Sequence, residues 1–259
     1  MMKKLNLQRV IMCFVSLLLF VSCWEGGANK ESGYAVGVVR LNETIFANVL
    51  DVSEYESFYS SLFANSYPGA CFQVYYELDY DDPDNTYENV VANGFYKVII
   101  IDKYELDRFD MAYSLTDTTK ALADEVAIED PILSGDLAYV KGMGFFYSIL
   151  EIPAEQKMNW ILSCDLQNIA KEENGQRYYD VFLRSTVYQS SSKSPENTGV
   201  LNAYNMKYYL EMVAHEVKSL GNTTFKLRFN YVSKIEDEIL TWSQQESTDI
   251  SVDYIIPAE

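Results

Sequence analysis

The sequence has a single histidine, His215, and few basic residues. It holds 20 Lys and Arg against 38 Asp and Glu, for a formal net charge of -18. A nucleic-acid-binding protein needs a basic surface to displace counterions from phosphates, so the composition excludes nucleic acid as a partner. An anionic bilayer surface would also repel the chain. Any membrane attachment must therefore be covalent or apolar.

A single histidine limits the catalytic arrangements that the chain could form. His215 and Glu216 begin like a zinc-protease helix, but no second histidine follows four residues on, so the imidazole pair that such a site needs is missing. A Ser-His-Asp or Cys-His device could be built only around His215. Because His215 lies opposite the apolar stripe of its predicted helix, we expect it at the surface. The sequence predicts a protein that is not an enzyme, with no catalytic residue and no cofactor.

No apolar run is long enough to cross a bilayer as a helix. Residues 10–21 form an apolar run of 12 residues, whereas a spanning helix takes ~20. With Lys3, Lys4 and Arg9 before it, this run is typical of a signal peptide, residues 1–22. Val21-Ser22-Cys23 follows the pattern of a lipoprotein signal, in which the Cys23 thiolate takes up a diacylglyceryl group. The alternative is an ordinary cleaved signal with Cys23 as a bystander.

Cysteine is also scarce in the mature chain. Of four cysteines, Cys13 lies in the signal and Cys23 is the lipidation site, which leaves Cys71 and Cys164. An exported compartment permits a disulfide. The two residues fall in different predicted domains, beside apolar residues, so the sequence favours two buried thiols over a bridge.

Strand patterns dominate what remains. Residues 72–79 alternate apolar and polar side chains, and residues 95–101 are apolar and β-branched, so the two are predicted to pair as a hairpin across an acidic turn. The same alternation occurs in residues 225–231 and 250–256. The fold class predicted is mainly β.

Two stretches have helical spacing instead. Apolar residues between Tyr55 and Leu62 recur at helical positions, with Ser53 as a cap, and a longer stripe runs from Met206 to Leu220 before Gly221-Asn222. One or two short helices are therefore expected. The polar residues 116–131 are predicted as an interdomain linker, and the Ser-rich residues 189–199 as a long loop.

Two further groups of residues suggest ligand binding. Asp79, Asp81, Asp82 and Asp84 form a candidate calcium loop, although the glycine and the spacing of an EF-hand are missing and a solvated acidic turn explains them equally. Three Tyr-Tyr pairs, at 75–76, 178–179 and 208–209, could stack on sugars or peptides. In a strand, adjacent aromatics point to opposite faces, so one of each pair is expected in the core.

The chain resembles the NigD-like lipoproteins of the Bacteroidales. The resemblance rests on the lipobox ending at Cys23, the Gly33-Tyr34 opening, the turn and strand of residues 68–78, residues 95–106 and the closing strand 225–231. It implies an N-terminal OB-like barrel and a C-terminal β-sandwich, with an association of the name-giving member with bacteriocin immunity. The predicted domains are a tether at 23–33, the barrel at 34–115, the linker at 116–131 and the sandwich at 132–259.

The function expected is that of a lipid-anchored protein of the cell envelope, in the outer membrane, with the leaflet left open. It is predicted to be a non-enzymatic binding protein for a protein partner, of toxin or immunity type. The alternative is an accessory lipoprotein that binds carbohydrate or peptide. The membrane, through the lipid anchor, and a protein or glycan are thus the expected partners.

Overall fold

Strands form most of the molecule, as predicted. The computed structural model describes residues 29–132, 138–153 and 155–256, in which 18 strands and three α-helices occur. By its contacts the chain divides after Glu105 into two units, a barrel unit and a sandwich unit.

The barrel unit is a closed five-stranded barrel in the order β1-β2-β3-β5-β4. Strand β1 pairs antiparallel with β2 and with β4, and β3 pairs parallel with β5. This is the strand order of an OB barrel, which confirms the expected fold. The elements are β1 (Lys30–Asn42), β2 (Ala47–Asp51), β3 (Ser57–Tyr59), β4 (Cys71–Asp79), α1 (Tyr87–Asn93) and β5 (Tyr96–Leu106), with 3-10 turns at Ser61–Phe63 and Pro83–Asn85.

The barrel core follows from the alternation in β4. Phe72, Val74, Tyr76 and Leu78 are all buried, while the residues between them are half-buried on the outside. They pack with Leu50, Phe63 and Val98 among others into one apolar cluster. The prediction for residues 72–79 is confirmed.

The predicted helix between Tyr55 and Leu62 is wrong. The Ser53 hydroxyl accepts from the N–H groups of Tyr55 and Glu56, at 3.2 and 3.0 Å, and so closes a turn. Phe58 then pairs with Leu50 of β2 and Tyr96 of β5, in the short strand β3. Pairing on both sides of Phe58 outweighs helical spacing, which buries neither Tyr55 nor Leu62.

Two other expectations for this unit need correction. Residues 30–33 are not tether but the start of β1, paired with residues 76–79 of β4. Strands β4 and β5 are neighbours in the barrel but are not joined by a tight hairpin, because helix α1 lies between them. Thr86 caps that helix, and Gly94 ends it in the left-handed conformation, with φ of 73°.

The sandwich unit consists of two main sheets. The first has the order β6-β14-β10-β8, with β9 also on β10; the second has the order β11-β13-β16-β17, with β7 and β12 on β13; β15 and β18 form a small third sheet. The strands are β6 (Arg108–Asp110), β7 (Glu125–Val126), β8 (Asp130–Ile132), β9 (Ala138–Val140), β10 (Met143–Pro153), β11 (Lys157–Ser163), β12 (Lys171–Glu173), β13 (Gln176–Gln189), β14 (Pro195–Asn205), β15 (Thr224–Phe225), β16 (Leu227–Glu236), β17 (Ile239–Glu246) and β18 (Ile250–Ser251). The helices are α2 (Lys207–Ser219) and α3 (Val252–Ile255), and a 3-10 turn spans Leu166–Asn168.

The core of the sandwich lies between its two main sheets. Phe146 of β10 stacks on Tyr204 of β14 at 4.3 Å and meets Phe229 of β16 edge-on at 5.2 Å. Helix α2 adds its apolar stripe to the same cluster, including Leu210 and Val213. The stripe is confirmed as far as Val217, whereas Leu220 at its end is 52% exposed. The Gly221-Asn222 end of the helix is confirmed, since the Asn222 N–H donates to Val217 O at 3.1 Å.

Residues 116–131 are not an interdomain linker. Val126, in β7, pairs with Ser185 of β13. Ile128 is fully buried, and its N–H donates to Val232 O at 2.8 Å. The stretch therefore belongs to the sandwich unit, which begins at Leu106. Its polar composition misled the prediction because the stretch supplies polar groups to a buried arginine, Arg184.

Two more predictions differ from the structure. Residues 250–256 form a two-residue strand and then helix α3, because the Val252 N–H turns away to donate to Thr223 O at 2.9 Å. The Ser-rich loop is confined to residues 190–194, since β13 and β14 extend into the rest of the predicted range.

Candidate binding surfaces

An exposed apolar surface covers the outside of three neighbouring barrel strands. We call Tyr34 of β1, Tyr75 of β4, and Ile99, Ile101 and Tyr104 of β5 the aromatic face. Strand β4 lies between β1 and β5 in the barrel, and alternate positions on these strands are core residues, so Tyr34, Tyr75, Ile99 and Ile101 point outward. Tyr104, near the end of β5, lies close enough to Tyr34 for the two to interact electrostatically. Four of them are 55–60% exposed, Tyr75 less so.

The tyrosines of this face are held in place. Tyr34 and Tyr75 sit directly opposite each other across β1 and β4, with ring centroids 4.8 Å apart. The Tyr104 hydroxyl donates to the Asp102 carboxylate at 2.5 Å, and this hydrogen bond raises the pKa of Tyr104. Rings fixed in this way lose little conformational entropy when a partner binds.

The aromatic face lies in an acidic surround. Its neighbours on β4 and β5 include Glu77 and Asp102. The described barrel unit has four basic residues, and each one already has a partner within the unit. Lys30 pairs with Glu77, Arg40 with Asp51, and Lys97 with Asp84, while Lys103 donates to Leu62 O. The remaining carboxylates thus leave an excess of negative charge.

A second candidate surface is a groove in the sandwich unit. It has a volume of about 560 Å³ and is lined by residues of β6, β10, β11, β13 and β14. Phe109, Ile152 and Trp160 form its apolar floor; the two latter are buried. We call this the sandwich groove. Its volume lies within the range of ligand pockets, roughly 300–1,000 Å³.

The rim of the sandwich groove is polar. Asp107, Glu155 and Glu196 line it with Arg108 and Lys157, so acids outnumber bases. Exposed Tyr188 also stands at the rim.

Two buried ionic clusters lie on β13 and β16, and both are structural. Arg184 and Glu125 are almost wholly buried and paired at 2.5 Å, and Arg184 also donates to the carbonyls of Asp117 and Lys120, both at 2.8 Å. This arginine fastens residues 116–126 to the sheet. Its satisfied donors leave nothing directed at a ligand.

The second cluster joins Asp180 to Arg228 at 2.6 Å, with Lys171 and Asn230 also on the carboxylate. Burial raises the pKa of Asp180, but the hydrogen bonds from Arg228, Lys171 and Asn230 outweigh it and hold the pKa below its usual range. The alternation in residues 225–231 concealed this cluster, because its polar positions, Arg228 and Asn230, are as buried as the apolar ones.

The structure does not assemble the candidate calcium loop. Asp79 contacts Lys30 at 3.5 Å, Asp82 and Asp84 contact Lys97, and the Asp81 carboxylate accepts from the Asn29 N–H. Within residues 29–132, 138–153 and 155–256, no group of three His, Cys, Asp or Glu side chains is placed to hold a metal. The carboxylates take part in ion pairs and turns instead.

The other sequence-predicted residues are placed as follows. Cys71 and Cys164 are buried thiols in different units and are not bridged to each other; burial raises the pKa of Cys164 to about 12. His215 is exposed on α2 as predicted. The lipidation site Cys23 lies outside the described residues. No helix of the described chain is long and apolar enough to span a membrane.

The Tyr pairs behave as expected. Tyr76, Tyr179 and Tyr209 are buried, while the preceding residue of each pair is more exposed. Ile99 and Ile101, however, were missed as surface residues. The run Val98-Ile99-Ile100-Ile101 hides the alternation, so its sequence does not distinguish inward from outward positions. A small closed barrel buries only one face of each strand, so half of such a run must be exposed.

Comparison with known proteins agrees with this architecture. Residues 27–104 match a family model described as Lipoprotein OB domain. An uncharacterized protein from Parabacteroides merdae has a similar structure, with 21% identity and a TM-score of 0.72 over 85% of this chain and 99% of that one. None of the functionally curated proteins matches.

Two further solved structures have lower similarity. A candidate lipoprotein from Bacteroides fragilis is 12% identical, with a TM-score of 0.52 over 84% of this chain and 97% of that one. A NigD-like immunity protein from Bacteroides caccae is also 12% identical, with a TM-score of 0.45 over 85% and 94%.

Residues 27–104 are therefore similar to the lipoprotein OB domain family, and the resemblance to Bacteroidales lipoproteins is confirmed. The description of that family as a lipoprotein domain agrees with the expected lipid-anchored protein of the cell envelope.

Proposed function

We propose that this lipoprotein is a non-enzymatic binding protein of the outer membrane, and that it binds a protein partner through the aromatic face of its barrel. The observation that carries the proposal is the exposure of Tyr34, Ile99, Ile101 and Tyr104 on β1 and β5, the two strands that flank β4. Contiguous exposed apolar side chains rimmed by polar residues are typical of protein–protein interaction sites.

The composition of the face favours a protein partner. Tyrosine supplies a large amphipathic surface at low entropic cost and is enriched at protein interfaces. Ile99 and Ile101 contribute aliphatic surface beside the rings, which suits the apolar side chains of a protein.

The charge of the barrel unit specifies the partner further. Since each described basic residue is paired with the unit's own groups, carboxylates such as Glu77 and Asp102 dominate the rim. A partner with basic residues around an apolar centre is therefore complementary, and its association rate should fall with added salt. A toxin or other protein of the envelope with this surface fits the proposal.

A surface variant tests the proposal. We expect the double variant Tyr34→Ser with Ile101→Ser to fold normally, because both side chains are exposed, and to lose a partner that wild type captures stoichiometrically from detergent-solubilised envelope. Losing two apolar anchors at an interface reduces affinity by about 10-fold or more. The matched control is Tyr208→Ser with Ile239→Ser, which removes comparably exposed side chains from the sandwich unit, outside the sandwich groove.

The outcomes separate the candidates. A basic protein retained by wild type and control but lost from the face variant supports the proposal. Retention of that protein by the face variant contradicts it. Capture of glycan in place of protein, dependent on the same tyrosines, would establish the alternative of a carbohydrate-binding lipoprotein.

A further inference from the structure

We propose that the sandwich groove is a second, separate binding site, and that it takes an extended basic peptide as an added β-strand along the open edge of β14. The proposal does not depend on the aromatic face, since all residues that line the groove belong to the sandwich unit.

The edge of β14 is only partly covered. Strand β6 pairs with Ala203, Tyr204 and Asn205 alone, and no described strand continues from β6 along residues 195–202. The other edge of β14 is fully paired with β10. Strand β14 therefore presents an unpaired edge over most of its length, and an edge of this kind is a template for pairing with another chain.

The direction of the main-chain groups follows from the β6 contact. The Ala203 N–H donates to Asp107 O at 3.0 Å, so it points to the β6 side. Alternate residues of a strand direct their N–H and C=O groups to the same side. Gly199 and Leu201 thus present donors and acceptors along the open edge, in line with β6. An added strand would continue the β6 position and satisfy them.

The groove supplies the side-chain pockets of such a site. Thr198 and Val200 point from β14 into it, with the apolar floor formed by Phe109, Ile152 and Trp160. Side chains of an added strand alternate between the two faces of the sheet. Every second residue of the peptide would therefore point into the groove, where apolar side chains fit.

Charge identifies the peptide as basic. Glu155 pairs with Lys193 at 2.5 Å, which leaves Asp107 and Glu196 as the other acids of the groove lining, against Arg108 and Lys157. Arg108 lies 3.9 Å from Asp110 on its own strand, which further lowers the positive charge available to a ligand. The excess of acid agrees with the net charge of -18 of the whole chain. A peptide with lysine at its ends and apolar residues between them is complementary.

Gly199 provides the matched pair of variants. Its N–H points to the open edge, and a Cβ added there would meet no atom within 4 Å. Gly199→Ala keeps the N–H, whereas Gly199→Pro removes it and blocks the edge. Proline is tolerated at the outer edge of a sheet, so both variants should fold.

The probe is a blocked nonapeptide of alternating valine and threonine with a lysine at each end, labelled for fluorescence anisotropy. Binding is measured with the full-length protein in detergent. We expect saturable binding that Gly199→Pro weakens about 10-fold or more, while Gly199→Ala leaves it within about twofold, since main-chain hydrogen bonds supply much of the affinity of strand addition.

Two N-methylated peptides provide a measurement independent of protein folding. One carries methyl groups on the amides of one side of the strand, the other on the opposite side. Strand addition predicts that one peptide loses binding and the other keeps it. Equal binding of both peptides, no saturable binding, or a dimer formed through this edge that excludes the peptide would each overturn the proposal.

Discussion

Arg184 shows how one side chain organises a stretch that looks like a linker in the sequence. Its guanidinium is paired with Glu125 and donates to Thr116 and to two main-chain carbonyls, all within residues 116–125. Burying an arginine is unfavourable unless its donors are satisfied, and here they are. The polar residues of the stretch therefore face Arg184, and the stretch covers this part of the sheet.

Removing this arginine should destabilise the sandwich unit strongly. We expect Arg184→Met to lower the free energy of unfolding by about 3–5 kcal/mol, because it leaves the Glu125 carboxylate buried without its partner. Urea unfolding followed by the fluorescence of Trp160 and Trp242, both in this unit, measures the change.

A surface ion pair serves as the control for that prediction. Lys193 and Glu155 are paired at 2.5 Å, but both are more than half exposed. Lys193→Ala should change stability by less than about 1 kcal/mol, since exposed pairs contribute little. A similar loss in both variants would show that burial of the Arg184 pair is not the reason for its effect.

At the scale of the elements, strand β1 makes a close approach to β2 at Gly37. A Cβ at this position would lie 2.4 Å from the Asp51 carbonyl oxygen and 2.8 Å from Leu50 Cγ. Gly33 lies on the same strand, and there a Cβ would come no closer than 3.8 Å to Tyr76. Strand β1 therefore has no room for a side chain at Gly37, whereas it has room for one at Gly33.

This difference predicts different effects of the same substitution. Gly37→Ala should destabilise the barrel by about 1–3 kcal/mol, because β1 and β2 must separate to admit the methyl group. Gly33→Ala should be close to neutral. The Val39 N–H donates to Ala70 O, so the adjacent pair Arg40 and Val49 carries the amides that face each other across β1 and β2. Hydrogen exchange of these amides measures the effect locally; equal protection in both variants would contradict the close approach.

Elements with one strong period could be predicted from the sequence. Strand β4 is buried at every second residue, and helix α2 is buried at helical spacing, so each pattern indicates one kind of element. Strand β3 could not be predicted, because its three residues owe their conformation to β2 and β5 on either side. Neither could α3, whose start depends on a hydrogen bond from Val252 to Thr223.

The candidate surfaces were less accessible to sequence reasoning than the fold. The exposure of Ile99 and Ile101 depends on barrel closure, and the open edge beside the groove depends on β6 beginning only at Arg108, opposite Ala203. Both are consequences of how distant strands meet. At the acidic turn of residues 79–84 the sequence predicted a site that the structure does not form. The local spacing suggested calcium ligands, but three of the carboxylates pair with Lys30 and Lys97.

At the scale of the whole molecule, the negative charge of the chain bears on how it is attached to a membrane. A chain with a net charge of -18 is repelled by anionic bilayers, so it needs another form of attachment to remain in the envelope. A lipidated Cys23 would provide it: each buried methylene contributes ~0.8 kcal/mol, and two or three acyl chains hold a protein stably where one does not.

The anchor makes the last prediction. Cys23→Ser should abolish labelling by fatty-acid analogues and move the protein from the membrane fraction to the soluble fraction, because serine lacks the thiolate that accepts the diacylglyceryl group. Cys71→Ser is the matched control: this buried thiol lies in the barrel, so labelling and membrane attachment should persist. If Cys23→Ser stays membrane-bound, and wild type is recovered with residues 1–22 intact, attachment must come from the uncleaved apolar segment instead.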